Sequence, residues 1–193
     1  VSALRVHFAG VGGQGTQTAS RLLGEAALRA GVDVLVAALH GMAQRGGSVT
    51  NQVLLGGLRS PVIEPGEADV LAGFEPIENA RAAPLLRRGG VAVLSTSRVV
   101  PYSLTASGGS YPEVAELHAP IRATASRTVT LDAAQLARRA GNVKAVGPVM
   151  LGALAATEVL PIAAALVRDT LAELSAADRR AVNLRAFDLG AEG

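Results

Sequence analysis

Leu4-Arg5-Val6-His7-Phe8-Ala9-Gly10-Val11-Gly12-Gly13-Gln14-Gly15 decides the class of fold, because its two halves follow different rules. Leu4, Val6 and Phe8 alternate with Arg5 and His7, the period-2 pattern of a half-buried strand. That strand runs straight into glycines. Beyond them the period lengthens: Ala19, Leu22, Leu23, Ala26, Ala27 and Ala30 recur at helical spacing as one apolar face, closed by Gly31. Residues 32–38 are then almost continuously apolar, which suits a buried parallel strand. Strand, glycine loop, helix, strand is the resulting order.

Further along, Ser48–Leu55 reads as a strand ended by Gly56-Gly57, and residues 58–63 as a short antiparallel return before Pro65-Gly66. Residues 69–74 are strand-like, Pro76 opens a helix that is over by Gly89-Gly90, and residues 91–94 make another buried strand. From 95 to 127 the pattern weakens around Pro101, Gly108, Gly109, Pro112 and Pro120, so a long surface excursion is expected. Regularity returns with a strand at 128–131 and a helix capped by Asp132 and closed by Gly141-Asn142. Two apolar helices follow, split near Pro161, and small residues such as Gly147, Gly152 and Ala153 suit them to a core or a subunit interface. Strands alternating with helices predict one α/β domain over residues 1–193. Its expected form is a three-layer α/β/α, Rossmann-like arrangement with a mostly parallel or mixed sheet.

Composition narrows the function. The chain has 193 residues, a formal net charge of +2, 3% aromatic residues and no tryptophan, which gives no stacking platform and no basic tract for nucleic acid. It contains no cysteine, so it supplies no thiolates for an iron-sulfur cluster, no thiol nucleophile and no disulfide. His7, His40 and His118 lack metal-binding spacing. The longest apolar tract, residues 143–167, is interrupted by Lys144, Glu158 and Pro161, so no membrane span is expected. The opening residues lack the pattern of a signal peptide, and a cytoplasmic location is the default expectation.

Gly10-Val11-Gly12-Gly13-Gln14-Gly15 has the spacing G-x-G-x-x-G between a strand and a helix, where glycine lets backbone N–H groups approach an anion at the helix's positive end. A phosphate or carboxylate is the natural guest, and a tight connection made for packing alone is the competing use. A dinucleotide would call for an acid at the end of the second strand, near His40, and Asp33 stands at the wrong end. The second candidate loop is His40-Gly41-Met42-Ala43-Gln44-Arg45-Gly46-Gly47-Ser48. If the first two strands are parallel neighbours, it shares the carboxyl edge of the sheet with the first loop. Gln44, Arg45, Gly46, Gly47 and Ser48 then join Gly10, Gly12, Gly13, Gln14 and Gly15 as candidate cofactor-binding residues. His40 is the best-placed group for acid–base work, with hydrogen bonding to the loop backbone as its alternative use.

These two loops closely resemble the gamma-type domain of pyruvate and 2-oxoacid:ferredoxin oxidoreductases, and the second is most similar to the beta subunit of the indolepyruvate enzymes. The resemblance extends to Gly141-Asn142, to Met150-Leu151-Gly152-Ala153-Leu154 and to Asn183-Leu184-Arg185-Ala186-Phe187-Asp188-Leu189-Gly190. Gly147-Pro148 departs from it where the family commonly has an Asn, as do Gln17 and Thr18 after the glycine loop. The resemblance implies a complex that decarboxylates a 2-oxoacid, an aryl pyruvate such as indolepyruvate, to acyl-CoA and CO2, passing electrons to ferredoxin. It implies a larger catalytic partner carrying thiamine diphosphate, Mg2+ and iron-sulfur clusters. On that resemblance the present chain would bind none of these by itself and be inactive alone, with coenzyme A or another phosphate group as the expected guest of the glycine edge. A nucleotide- or CoA-binding module and a free-standing NAD(P)-dependent dehydrogenase are the alternative readings.

Overall fold

The structure, a computed structural model, describes residues 3–40, 47–58, 60–100 and 110–193, with only the backbone at 39 and 40. Among these residues six strands form one sheet: β1 (Leu4–Val11), β2 (Val34–His40), β3 (Ser48–Leu55), β4 (Ala68–Gly73), β5 (Leu86–Ser95) and β6 (Arg127–Leu131). Their spatial order is β2-β3-β1-β4-β5-β6. The run β1-β4-β5-β6 is parallel, whereas β3 is antiparallel to both neighbours. The α/β sandwich with a mixed sheet is therefore as expected. One premise is not: β1 and β2 are not neighbours, because β3 lies between them. A long crossover returns β2 and β3 to the free side of β1, and no local periodicity specifies that choice of partner.

Among the described residues, seven α-helices cover the sheet: α1 (Thr16–Arg29), α2 (Pro76–Ala82), α3 (Val114–Thr124), α4 (Ala133–Ala140), α5 (Val146–Ala155), α6 (Ala164–Leu174) and α7 (Ala177–Glu192). Side chains alternate along the strands, so each strand feeds two cores. Val6, Phe8, Val70, Ala72 and Val93 face α1 and the C-terminal helices in the larger core. Ala9, Leu71, Ala92 and Leu94 meet Ala82 and Ile121 in the smaller one, under α2 and α3.

Local signals hold where they were chemically specific. Asp132 Oδ1 accepts from the N–H of Gln135 at 2.9 Å, and Gly141 closes α4 in a left-handed conformation. Nine of the ten residues of α5 are buried, so that apolar helix is core of this chain rather than interface. In α6 only Val167, Thr170 and Leu171 are buried, and the helix is amphipathic.

Two expectations need correction. Residues 58 and 60–63 are not in a strand; β3 itself supplies the antiparallel direction. The excursion after β5 contains α3, which buries His118 and Ile121 completely despite Pro120 inside it. The C-terminal segment, quoted above only as a resemblance, is a sixteen-residue helix packed on α5.

Candidate functional site

The strand directions bring the ends of β1, β2 and β4 and the start of β3 to one edge of the sheet. The glycine loop closes β1 there. Gly13 and Gly15 have φ of +100° and +82°, conformations that a Cβ disfavours, and Gly15 is the N-cap of α1. Gln14 folds back onto the loop: its Oε1 accepts from the N–H of Val11 at 2.9 Å and its Nε2 donates to the carbonyl of Phe74 at 3.0 Å. Gly10 lies beneath this clasp, where an added Cβ would come within 2.9 Å of Gln14 Oε1 and of Phe74 Cβ. Gln14 thus ties the end of β1 to the end of β4. We predict that Gln14→Ala costs about 1–3 kcal/mol, from unpaired backbone groups left behind, measured as a lower denaturation midpoint. An unchanged midpoint would show the clasp to be dispensable.

The second loop reaches this edge by another route than the one expected. Gly12 donates its N–H to the carbonyl of Gly47 at 2.9 Å, so the loops touch through the start of β3. Ser48 follows, and its Oγ donates to Glu78 Oε2 at 2.7 Å, which anchors the loop's end to α2. Glu78 is buried and also accepts from Arg81. Gln44, Arg45 and Gly46 lie outside the described residues, as does the side chain of His40.

Sequence reading missed the acids of α2. Glu75 is fully buried and caps the helix, accepting the N–H groups of Ile77 and Glu78 at 2.8 and 3.1 Å and the hydroxyl of Tyr111. Burial and the Glu75 carboxylate push the Tyr111 phenol well above its usual range. Asn79 Nδ2 lies 3.1 Å from Nε2 of buried His118, whose pKa falls from 6.5 to about 4 through burial, aided by Arg122. The visible signal was Glu75-Pro76-Ile77-Glu78, an acid at the N-cap, proline at the first helical position and a second acid in the first turn.

On its other flank the glycine loop borders a depression of about 590 Å³ between α1, α5 and α7. Lys144, Arg21 and Arg179 line it with Thr18 and Asn142. The N-terminus of α1 has no side-chain cap and no acid in its first turn, so its positive end is uncompensated there. Cations beside free helix N–H groups favour a phosphate. Among the described residues no group of three or more His, Asp or Glu could hold a metal ion. No helix among them is long and apolar enough to cross a membrane.

A family model described as pyruvate ferredoxin/flavodoxin oxidoreductase matches residues 5–193. The chain belongs to that family. Within this oxidoreductase family it is closely related to proteins named indolepyruvate oxidoreductase subunit IorB. That of Archaeoglobus fulgidus is 37% identical across 97% of this chain and 93% of its own length. That of Pyrococcus horikoshii is 38% identical across 94% and 91%. The fold recurs in the gamma subunit of a keto/oxoacid ferredoxin oxidoreductase from Geobacter sulfurreducens, with a TM-score of 0.71 at 21% identity over 98% of this chain and 96% of that one. It recurs again in the 2-oxoglutarate:ferredoxin oxidoreductase of Magnetococcus marinus, with a TM-score of 0.72 at 20% identity, over all of this chain and 31% of that one. The oxidoreductase family is therefore represented here by a gamma- or beta-type accessory subunit.

Proposed function

We propose that this accessory subunit completes an indolepyruvate-type 2-oxoacid:ferredoxin oxidoreductase and holds the phosphates of coenzyme A along the glycine edge. Similarity to IorB subunits over nearly the whole length carries the reading. The larger partner would bear thiamine diphosphate, Mg2+ and the iron-sulfur clusters, release acyl-CoA and CO2, and pass electrons to ferredoxin. The donor set of this chain does not suit those groups: it has no cysteine, and the buried carboxylates Glu75 and Glu78 are occupied by hydrogen bonds within the chain. A phosphate does suit the edge. The first turn of α1 is uncapped, and Lys144, Arg21 and Arg179 stand around the depression beside it.

A dinucleotide site fits less well. The neighbour of β1 on the ribose side is antiparallel β3, whose first residue is Ser48 rather than an acid at the end of a parallel strand. The chain alone is expected to show no 2-oxoacid oxidation, and the complex with its partner to show it. Titration of that complex with coenzyme A separates the two flanks of the loop. Lys144→Ala is expected to weaken binding about tenfold if the phosphates lie over α1, and Arg45→Ala if they lie over the second loop. Unchanged affinity in both would place coenzyme A wholly on the partner.

A further inference from the structure

The sheet face away from α1 carries a second, smaller depression, about 210 Å³, where α2 stops short of covering β3. His7, Ser48, Thr50, Gln52, Glu78 and Arg81 line it. His7 and Gln52 face each other across β1 and β3 as register partners. They are only 2% and 4% exposed, and among the described residues neither ring nitrogen of His7 nor Oε1 of Gln52 has a hydrogen-bond partner. Buried polar atoms are nearly always paired, because water was given up to bury them. An apolar pair at the centre of a sheet would serve the isolated chain better, so the missing partner comes from outside.

The wall specifies what that partner offers. Glu78 is already compensated by Arg81 and bonded to Ser48, which leaves no uncompensated charge for an ionic guest. Burial keeps His7 neutral, its pKa lowered from 6.5 to about 4, so the ring presents one N–H donor and one acceptor nitrogen. Gln52 adds a second acceptor. An amide matches this set, its carbonyl accepting from the imidazole and its N–H donating to Gln52 Oε1. We infer that the depression receives an amide, as a carboxamide side chain or a peptide group, from the larger subunit with which the chain assembles. The contact rests on the accessory-subunit reading. It lies beside Ser48, so the partner's amide would sit next to the second glycine loop.

The test compares dissociation of the two-subunit complex for the parent, His7→Leu, Gln52→Leu and His7→Gln. Each leucine variant is expected to melt higher as the free chain, having lost an unpaired buried polar group, yet to weaken the complex about tenfold or more by stranding the partner's amide. His7→Gln keeps a donor and an acceptor and should recover much of the affinity. Leucine variants that bind as tightly as the parent would overturn the amide contact alone, marking the depression as filled by water. Failure of the parent chain to form any complex would overturn the subunit reading itself.

Discussion

Gly152→Ala is expected to destabilise the chain by about 3 kcal/mol or more and to lower Tm by roughly 10 °C, because α5 and α7 pack backbone to backbone at this point. A Cβ at Gly152 would lie 1.9 Å from the carbonyl oxygen of Phe187 and 2.8 Å from its carbon. Neither atom belongs to a flexible side chain that could move aside. The contact is reciprocal, since a Cβ at Gly190 would lie 2.0 Å from the carbonyl oxygen of Val149. Alanine's better helix propensity returns only about 1 kcal/mol. Gly147→Ala, one turn earlier in the same helix, is the control: its Cβ would meet Gly15 O at 3.2 Å, and a small shift relieves it. Thermal melts of the two variants should differ clearly. Equal Tm values would mean that α5 and α7 are not so closely seated.

Acid should unfold this protein through its two buried histidines. His7 and His118 both have pKa values lowered from 6.5 to about 4, chiefly by burial. Between those values the unfolded chain binds protons that the folded chain refuses, so stability is fully present above about pH 6.5 and falls as pH drops toward 4. At 1.36 kcal/mol per pH unit each histidine is worth about 3 kcal/mol, to order of magnitude, by the bottom of that window. Asp188, held below the usual carboxylate range by Arg168, remains charged and does not share in the loss. Urea midpoints at pH 7.5 and 4.5 test this, and His7→Leu should remove about half of the difference. A parent midpoint that does not move between the two pH values would show that the rings are protonated in place.

Neither histidine announced this role in the sequence. His7 sits on the polar beat of an alternating strand, and a single strand does not reveal whether its second face is covered. That depends on α2 and on Gln52 of β3, both far away in sequence. His118 fell in a stretch rich in glycine and proline that read as surface. Its burial follows from α3 packing on α2 and β5.

The sequence by itself determined the features that a few adjacent residues settle. Alternation makes β1, the glycines turn it into α1, Asp132 and Gly141 bound α4, and Pro76 starts α2. The glycine and second loops were legible too, because their residue types and spacing are unusual. Only the tertiary structure decided how these parts meet. It inserts β3 between β1 and β2, and it is through β3 that Gly12 meets Gly47 and that Ser48 meets Glu78. Periodicity says which face of a strand is apolar, whereas its neighbour is chosen by burial summed over the whole sheet. Hence the loop of Gly10 to Gly15 could be read from the chain, while the clasp of Gln14 on Phe74 and the unpaired ring of His7 appear only once β4 and β3 lie beside it.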